Sequence, residues 1–142
     1  ELGFAQLVKF SNLLPRDKAL EKLGNSTALV HPSLHDSGGW VCLEAMTAAR
    51  PVICLNLGGP AIHVTEETGI KVDALDPDTA VQGLAAAMVR LAKDPELRSA
   101  MGRAGQRRVK EFYNWESRGR QISQLYEEVV KSTVRQSEMV HK

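Results

Sequence analysis

The run "PVICLNL" at 51–57 is apolar from Pro51 through Leu55. A strand that alternates apolar and polar side chains can leave one face in water, but an unbroken apolar run must be covered on both faces. Helices packed on each side of a parallel sheet meet that demand, so this one segment points to an α/β domain. The neighbouring segments supply the elements in a suitable order. "QLVKF" (6–10) reads as a strand, and "LPRDKALEKLG" as a helix with Pro15 near its start and Gly24 just past its end. "TALVHPS" (27–33) reads as a strand stopped by Pro32. A turn at Gly38-Gly39 then opens an apolar helix over 39–49. After the apolar strand, "GGP" (58–60) breaks the chain, a short helix is expected at 60–67, and "IKVDAL" after Gly69 reads as a fourth strand. The expected fold is a Rossmann-like parallel sheet with helices on both faces and a helical C-terminal third.

In that last third, Pro77 begins a helix with Val81, Leu84, Ala85, Met88, Leu91 and Ala92 expected on one side. "DPEL" restarts it, with Asp94 as N-cap and Pro95 at the first helical position. Asn114 is expected to cap a final helix whose stripe of Ile122, Leu125, Tyr126 and Val129 the local core buries. The domain is expected over 1–131, with 132–142 as a polar tail.

A chain of 142 residues fits one domain with a proper core. With 43% hydrophobic and 25% charged residues it is globular rather than disordered, and a net charge of +1 gives no argument for nucleic acid. No apolar run reaches the roughly 18 residues of a membrane span. The chain opens on Glu1 and carries no basic-then-apolar leader, so it reads as a piece of a longer polypeptide with one or two strands upstream. Cys42 and Cys54 both lie in apolar stretches and make no disulfide framework, which favours a reducing, cytoplasmic setting.

"HDSGGWVCLEAM" (35–46) carries the chemistry. A glycine turn between a strand and an apolar helix presents backbone N–H groups at the carboxyl edge of the sheet, where α/β domains bind ligands and where a helix N-terminus favours phosphate. Glycine lets the backbone approach an anion closely. Glu44 is the one carboxylate in the helix, and burying it without partners would cost several kcal/mol. Paired ribose hydroxyls would suit it. A nearby Arg or Lys, or solvent, would serve as well, and Asp36 before two glycines is also ordinary turn chemistry.

The segment "VHPSLHDSGGWVCLEAMTAARPVICLNLGGP" resembles the donor-binding core of the group 1 glycosyl transferases, family four of the retaining GT-B enzymes. Their signature of two acids with seven residues between them falls on Asp36 and Glu44, followed by "EAM" (44–46) and "PVI" (51–53). Gly39 and the pair Gly58-Gly59 match too, as do "LPRDKALEKLGNSTALVHPS" before the motif and the Phe-x-x-Trp helix "FYNWESRGRQISQLYEEV" after it. This chain has Asp36 for the usual Glu, Gly38 for a common Phe, Trp40 for Leu, Ala49 for Gly, and Ile62-His63 where a Glu often follows "GGP".

The resemblance implies a hexosyl transferase acting in polysaccharide or glycoconjugate synthesis. Asp36 and Glu44 would form the catalytic pair, with Asp36 on hydroxyls of the transferred sugar and Glu44 on the donor ribose. The backbone N–H groups of Gly39, Trp40 and Val41 would hold the diphosphate, with Gly38, Gly58 and Gly59 completing the donor-binding set. No cofactor or metal is expected, since the nucleotide sugar is the substrate. The expected partners are that donor and an N-terminal acceptor domain, without which the chain would be inactive. The basic stretch "GRAGQRRVK" (102–110) reads chiefly as a solvated helix face. Peripheral membrane association of the full-length enzyme stays open, as does a non-catalytic, transferase-like binding module. A GT-B epimerase would lack the Asp36-to-Glu44 spacing, and a dinucleotide dehydrogenase would show G-x-G-x-x-G after its first strand. His31 and His35, split by Pro32, are a poor metal pair, and His63 could line the donor pocket or face solvent.

Overall fold

The computed structural model describes residues 3–140, with side chains described through Ser132. Three parallel strands, β1 (Leu29–His31), β2 (Val52–Leu55) and β3 (Gly69–Val72), form the sheet in the order β1-β2-β3. Val30, Ile53 and Ile70 stand side by side across it. β2 is central and buried along its whole length, and its alternate residues serve two cores. Val52 and Cys54 pack with Cys42, Leu43, Ala45 and Met46 of helix α2 (Trp40–Thr47). Ile53 and Leu55 pack on the other face with Ala87 and Leu91 of helix α4 (Pro77–Lys93) and with Met101. That is the arrangement the uninterrupted run at 51–55 requires.

Helix α1 (Arg16–Gly24) precedes β1, and helix α3 (Gly58–His63) follows β2. Helices α5 (Pro95–Phe112) and α6 (Trp115–Val140) complete the chain. The caps fall where the residue types ask for them. Asp94 accepts from the Leu97 N–H at 2.8 Å, and Asn114 from the Ser117 N–H at 2.7 Å.

Three expectations need correction. Residues 6–10 form no strand: a 3-10 turn at Ala5–Leu7 is followed by irregular backbone up to α1. No strand lies beside it among the described residues, and Leu7, Phe10 and Leu13 are exposed, so the β-forming side chains have nothing to pack on. The sheet therefore has three strands among the described residues, not four. On α4 the buried side is Ala80, Leu84, Ala87 and Leu91, while Val81 and Met88 are exposed. The apolar stripe of α6 is present, but the core does not bury it: Ile122, Leu125, Tyr126 and Val129 are each more than half exposed. The α6 backbone stays helical past Lys131 to Val140.

Candidate functional site

The glycine turn lies beyond the carboxyl end of β1 and is organised by Asp36. One carboxylate oxygen, Oδ1, accepts from the N–H groups of Gly38 at 3.0 Å and Gly39 at 2.7 Å. The other, Oδ2, lies 2.9 Å from Nε2 of His31, the last residue of β1. The Gly39 N–H above all, helped by His31 and the Gly38 N–H, holds the Asp36 carboxyl below its ordinary value of 3.8. An Asp that ties down the N–H groups two and three residues further on is an Asx turn, so the turn-chemistry reading of Asp36 describes what its oxygens do here.

The second glycine pair packs directly on this turn. The Gly59 N–H donates to the Asp36 carbonyl at 2.9 Å. A Cβ on Gly59 would stand 2.5 Å from the Ser37 carbonyl oxygen, and one on Gly39 would stand 2.8 Å from the Pro60 nitrogen. Gly39 has φ 58, in the left-handed region that glycine enters without strain. The glycines thus let two turns touch backbone to backbone. This is a structural reason for them, beside any approach of an anion.

The expected row of open donors at 39–41 is shorter than the sequence suggests. The Gly39 N–H is spent on Asp36, whereas those of Trp40 and Val41, the first two residues of α2, meet no partner among the described residues. Such N–H groups carry the positive end of the helix dipole. Glu44 comes one turn later, about 33% exposed, and its Oε1 accepts from Arg16 at 2.8 Å. The carboxylate is neither dry nor unpaired. It lines, with Arg16, a cavity of about 350 Å³ between α1, β1 and α2 whose other walls include Leu20, Leu23, Leu29 and Val41. On the other flank of the turn lies a second cavity of about 330 Å³, lined by Trp40, Ile62, His63, Tyr113, Trp115 and Arg118.

Sequence reasoning missed Arg16 and left His63 undecided. Arg16 is 28 positions from Glu44, and no local signal could pair them. His63 ends α3 and aims its ring at the glycine turn, with Nε2 2.8 Å from the Gly38 carbonyl oxygen. Of the basic stretch, Arg108 turns inward: its Nε donates to the His63 carbonyl at 3.0 Å and its guanidinium lies over the rings of Phe112 and Tyr113. Arg107 is exposed, as expected of a solvated face.

With this geometry in place, the likeness to known proteins is informative. Residues 1–108 match the family of glycosyl transferases group 1, and the chain belongs to that family. It is 31% identical to a D-inositol 3-phosphate glycosyltransferase of Corynebacterium urealyticum over 127 residues, covering 89% of this chain and 29% of that one. It is 34% identical to an alpha-maltose-1-phosphate synthase of Mycolicibacterium smegmatis, covering 82% of this chain and 31% of the relative. Among solved structures, sucrose-phosphate synthase of Thermosynechococcus elongatus superposes with a TM-score of 0.75 at 30% identity, over 90% of this chain and 31% of the other. The glycosyltransferase WaaG, at 22% identity and a TM-score of 0.59 over 67% of this chain, shares the fold. The three-stranded parallel sheet with its helices is thus part of a GT-B architecture. The chain spans 29% and 31% of the length of the two curated relatives. Among the described residues, no helix is long and apolar enough to cross a membrane.

Proposed function

We propose that this chain is the donor-binding part of a retaining glycosyltransferase that moves a sugar from a nucleoside diphosphate to an acceptor hydroxyl. One observation carries the reading. Two unshared backbone N–H groups, of Trp40 and Val41, open at the carboxyl edge of a parallel sheet, one helical turn before a carboxylate that lines an apolar cavity. The nucleoside would enter the cavity beside α1, with its ribose hydroxyls donating to Glu44 in place of Arg16. The exposed ion pair that must open for this is worth only about 0–1 kcal/mol.

The diphosphate would then lie on the Trp40 and Val41 N–H groups. In the transfer, the bond from the sugar C1 to the diphosphate oxygen breaks and a bond from C1 to the acceptor oxygen forms. The acceptor hydroxyl passes its proton to the departing diphosphate, where charge gathers as the bond breaks. Donors aimed at that oxygen stabilise the transition state more than the ground state. Asp36 holds the turn that would aim them, and its remaining lone pair would meet a hydroxyl of the sugar. The reading calls for no metal, needs an acceptor domain for transfer, and places the enzyme in the cytoplasm, which the free, buried Cys42 and Cys54 favour.

The test is to incubate the full-length protein with UDP-, GDP- and ADP-sugars and follow release of the nucleoside diphosphate. Hydrolysis or transfer with one of them is expected. Absence of both release and binding with all three overturns the reading.

A further inference from the structure

The Gly38–Gly39 peptide is held at both ends. Its N–H, that of Gly39, donates to Asp36 Oδ1, and its carbonyl, that of Gly38, lies 2.8 Å from His63 Nε2. A carbonyl oxygen can only accept, so this contact puts a proton on Nε2. The imidazole is held in turn from its far side. Nδ1 lies 3.1 Å from the Tyr113 hydroxyl, which donates to it in this tautomer. The Tyr113 ring stands edge-on to the imidazole, with centroids 5.1 Å apart at 89°. The Arg118 guanidinium lies 5.4 Å from the Tyr113 ring centroid, and Arg108 binds the His63 main-chain carbonyl. A peptide fixed by a carboxylate at its N–H and an imidazole at its C=O cannot flip. The flip matters because the next two N–H groups along the chain are the open ones, and their direction follows from the left-handed turn at Gly39.

We propose that His63 is a positioning residue for donor recognition: by gripping the Gly38 carbonyl it fixes the peptide that aims the Trp40 and Val41 N–H groups at the diphosphate. Tyr113, at the junction of α5 and α6, sets the tautomer that makes the grip. His63 touches no substrate in this scheme. The proposal rests on the donor-binding reading above.

The variants are His63→Phe, which keeps a flat ring but removes the donor; His63→Gln, whose terminal amide can still donate to Gly38; and Tyr113→Phe. In the full-length enzyme, losing one neutral hydrogen bond should raise the donor KM about threefold to tenfold in His63→Phe and leave the acceptor KM unchanged. His63→Gln should recover most of the loss, and Tyr113→Phe should fall between them. A His63→Phe enzyme with wild-type donor KM, a Gln variant no better than Phe, or an equal rise in both KM values overturns the proposal.

A second readout does not depend on turnover. In the wild-type chain, imidazole nitrogen spectra should show His63 protonated on Nε2. The amide signals of Gly38 to Val41 should move in His63→Phe and return toward wild type in His63→Gln. A proton on Nδ1 alone, or unmoved amides, overturns the positioning role. If the wild-type enzyme uses no nucleotide sugar, the donor reading fails and this spectrum still decides whether His63 holds the turn. If His63→Phe does not fold, Tyr113→Phe is read in its place, and unmoved amides there count against the proposal.

Discussion

Replacing Glu44 with Gln separates a ligand-binding carboxylate from a structural one, because the structure sets the two costs far apart. The only partner of the carboxylate among the described side chains is Arg16, in a contact of 2.8 Å with Arg16 78% and Glu44 33% exposed. Pairs this open contribute about 0–1 kcal/mol, and Gln keeps both the shape and an oxygen for Arg16 to donate to. The folded state should therefore lose no more than about 0.5 kcal/mol, which is the range of ordinary surface changes. A ribose hydroxyl donating to a carboxylate is a charge-assisted bond worth about 1.5–3 kcal/mol, so donor affinity should drop about tenfold to a hundredfold. The assay pairs calorimetric titration of the donor nucleotide into the full-length enzyme with urea unfolding of the same preparation. A donor lacking the ribose hydroxyls closes the cycle: it should bind wild type and variant equally, because the interaction removed by the mutation is already absent from the ligand. Donor affinity within about twofold of wild type refutes the ribose assignment. A stability loss above about 2 kcal/mol refutes the view that Glu44 is structurally expendable.

Other consequences are as direct. Ala49 has φ 55, and its N–H and that of Arg50 bond back to Met46 and Ala45 in the pattern that ends a helix on glycine, so Ala49→Gly should stabilise the chain by about 0.5–1 kcal/mol after glycine's entropy cost. A lower urea midpoint would contradict that. Asp36 is held below 3.8, so its bonds support the fold fully above that pH, and the support is lost as pH falls through the lower folded value. Unfolding followed on the acid side of 3.8 should show a steeper loss in wild type than in Asp36→Asn, and equal slopes would count against the turn role. Burial pushes the Cys42 thiol up to about 12 and Cys54 to about 11, so neither should react with iodoacetamide until the chain is unfolded. Leu125 is 61% exposed on α6, and Leu125→Glu should leave the unfolding free energy of this chain within about 0.5 kcal/mol. A larger loss would show that the stripe packs on this domain after all.

What could be read from the sequence was local. The run at 51–55 carries its own evidence of two-sided burial, and Asp94 and Asn114 act on backbone N–H groups three residues away, within reach of any sequence window. What could not be read depends on distant neighbours. Residues 6–10 have strand-like side chains, but a strand exists only beside another, and no periodicity says whether one will be there. Helix α4 is rich in Ala, Val and Met around much of its circumference, so periodicity placed Val81 and Met88 on the side that contact with β2 and β3 gives instead to Leu84, Ala87 and Leu91. The stripe on α6 was visible as a pattern, yet a stripe says only that some surface should cover it. Among the described residues none does for Ile122, Leu125 and Tyr126.

The two acids show the same division. The family resemblance pointed at Asp36 and Glu44, but a carboxylate before two glycines satisfies turn chemistry and ligand chemistry with the same atoms, and the sequence could not separate them. The geometry suggests why it need not. An ionised carboxylate offers about four lone-pair sites. The N–H groups of Gly38 and Gly39 take two on Oδ1 and His31 takes one on Oδ2. One site on Oδ2 is left, so under the proposed donor-binding role Asp36 would accept a sugar hydroxyl without releasing the turn. A longer side chain at this position would reach further toward the sugar, but it would close a larger ring onto the Gly38 and Gly39 N–H groups. The aspartate trades that reach for a tighter turn, and His63, gripping the same peptide from its carbonyl side, reinforces the choice.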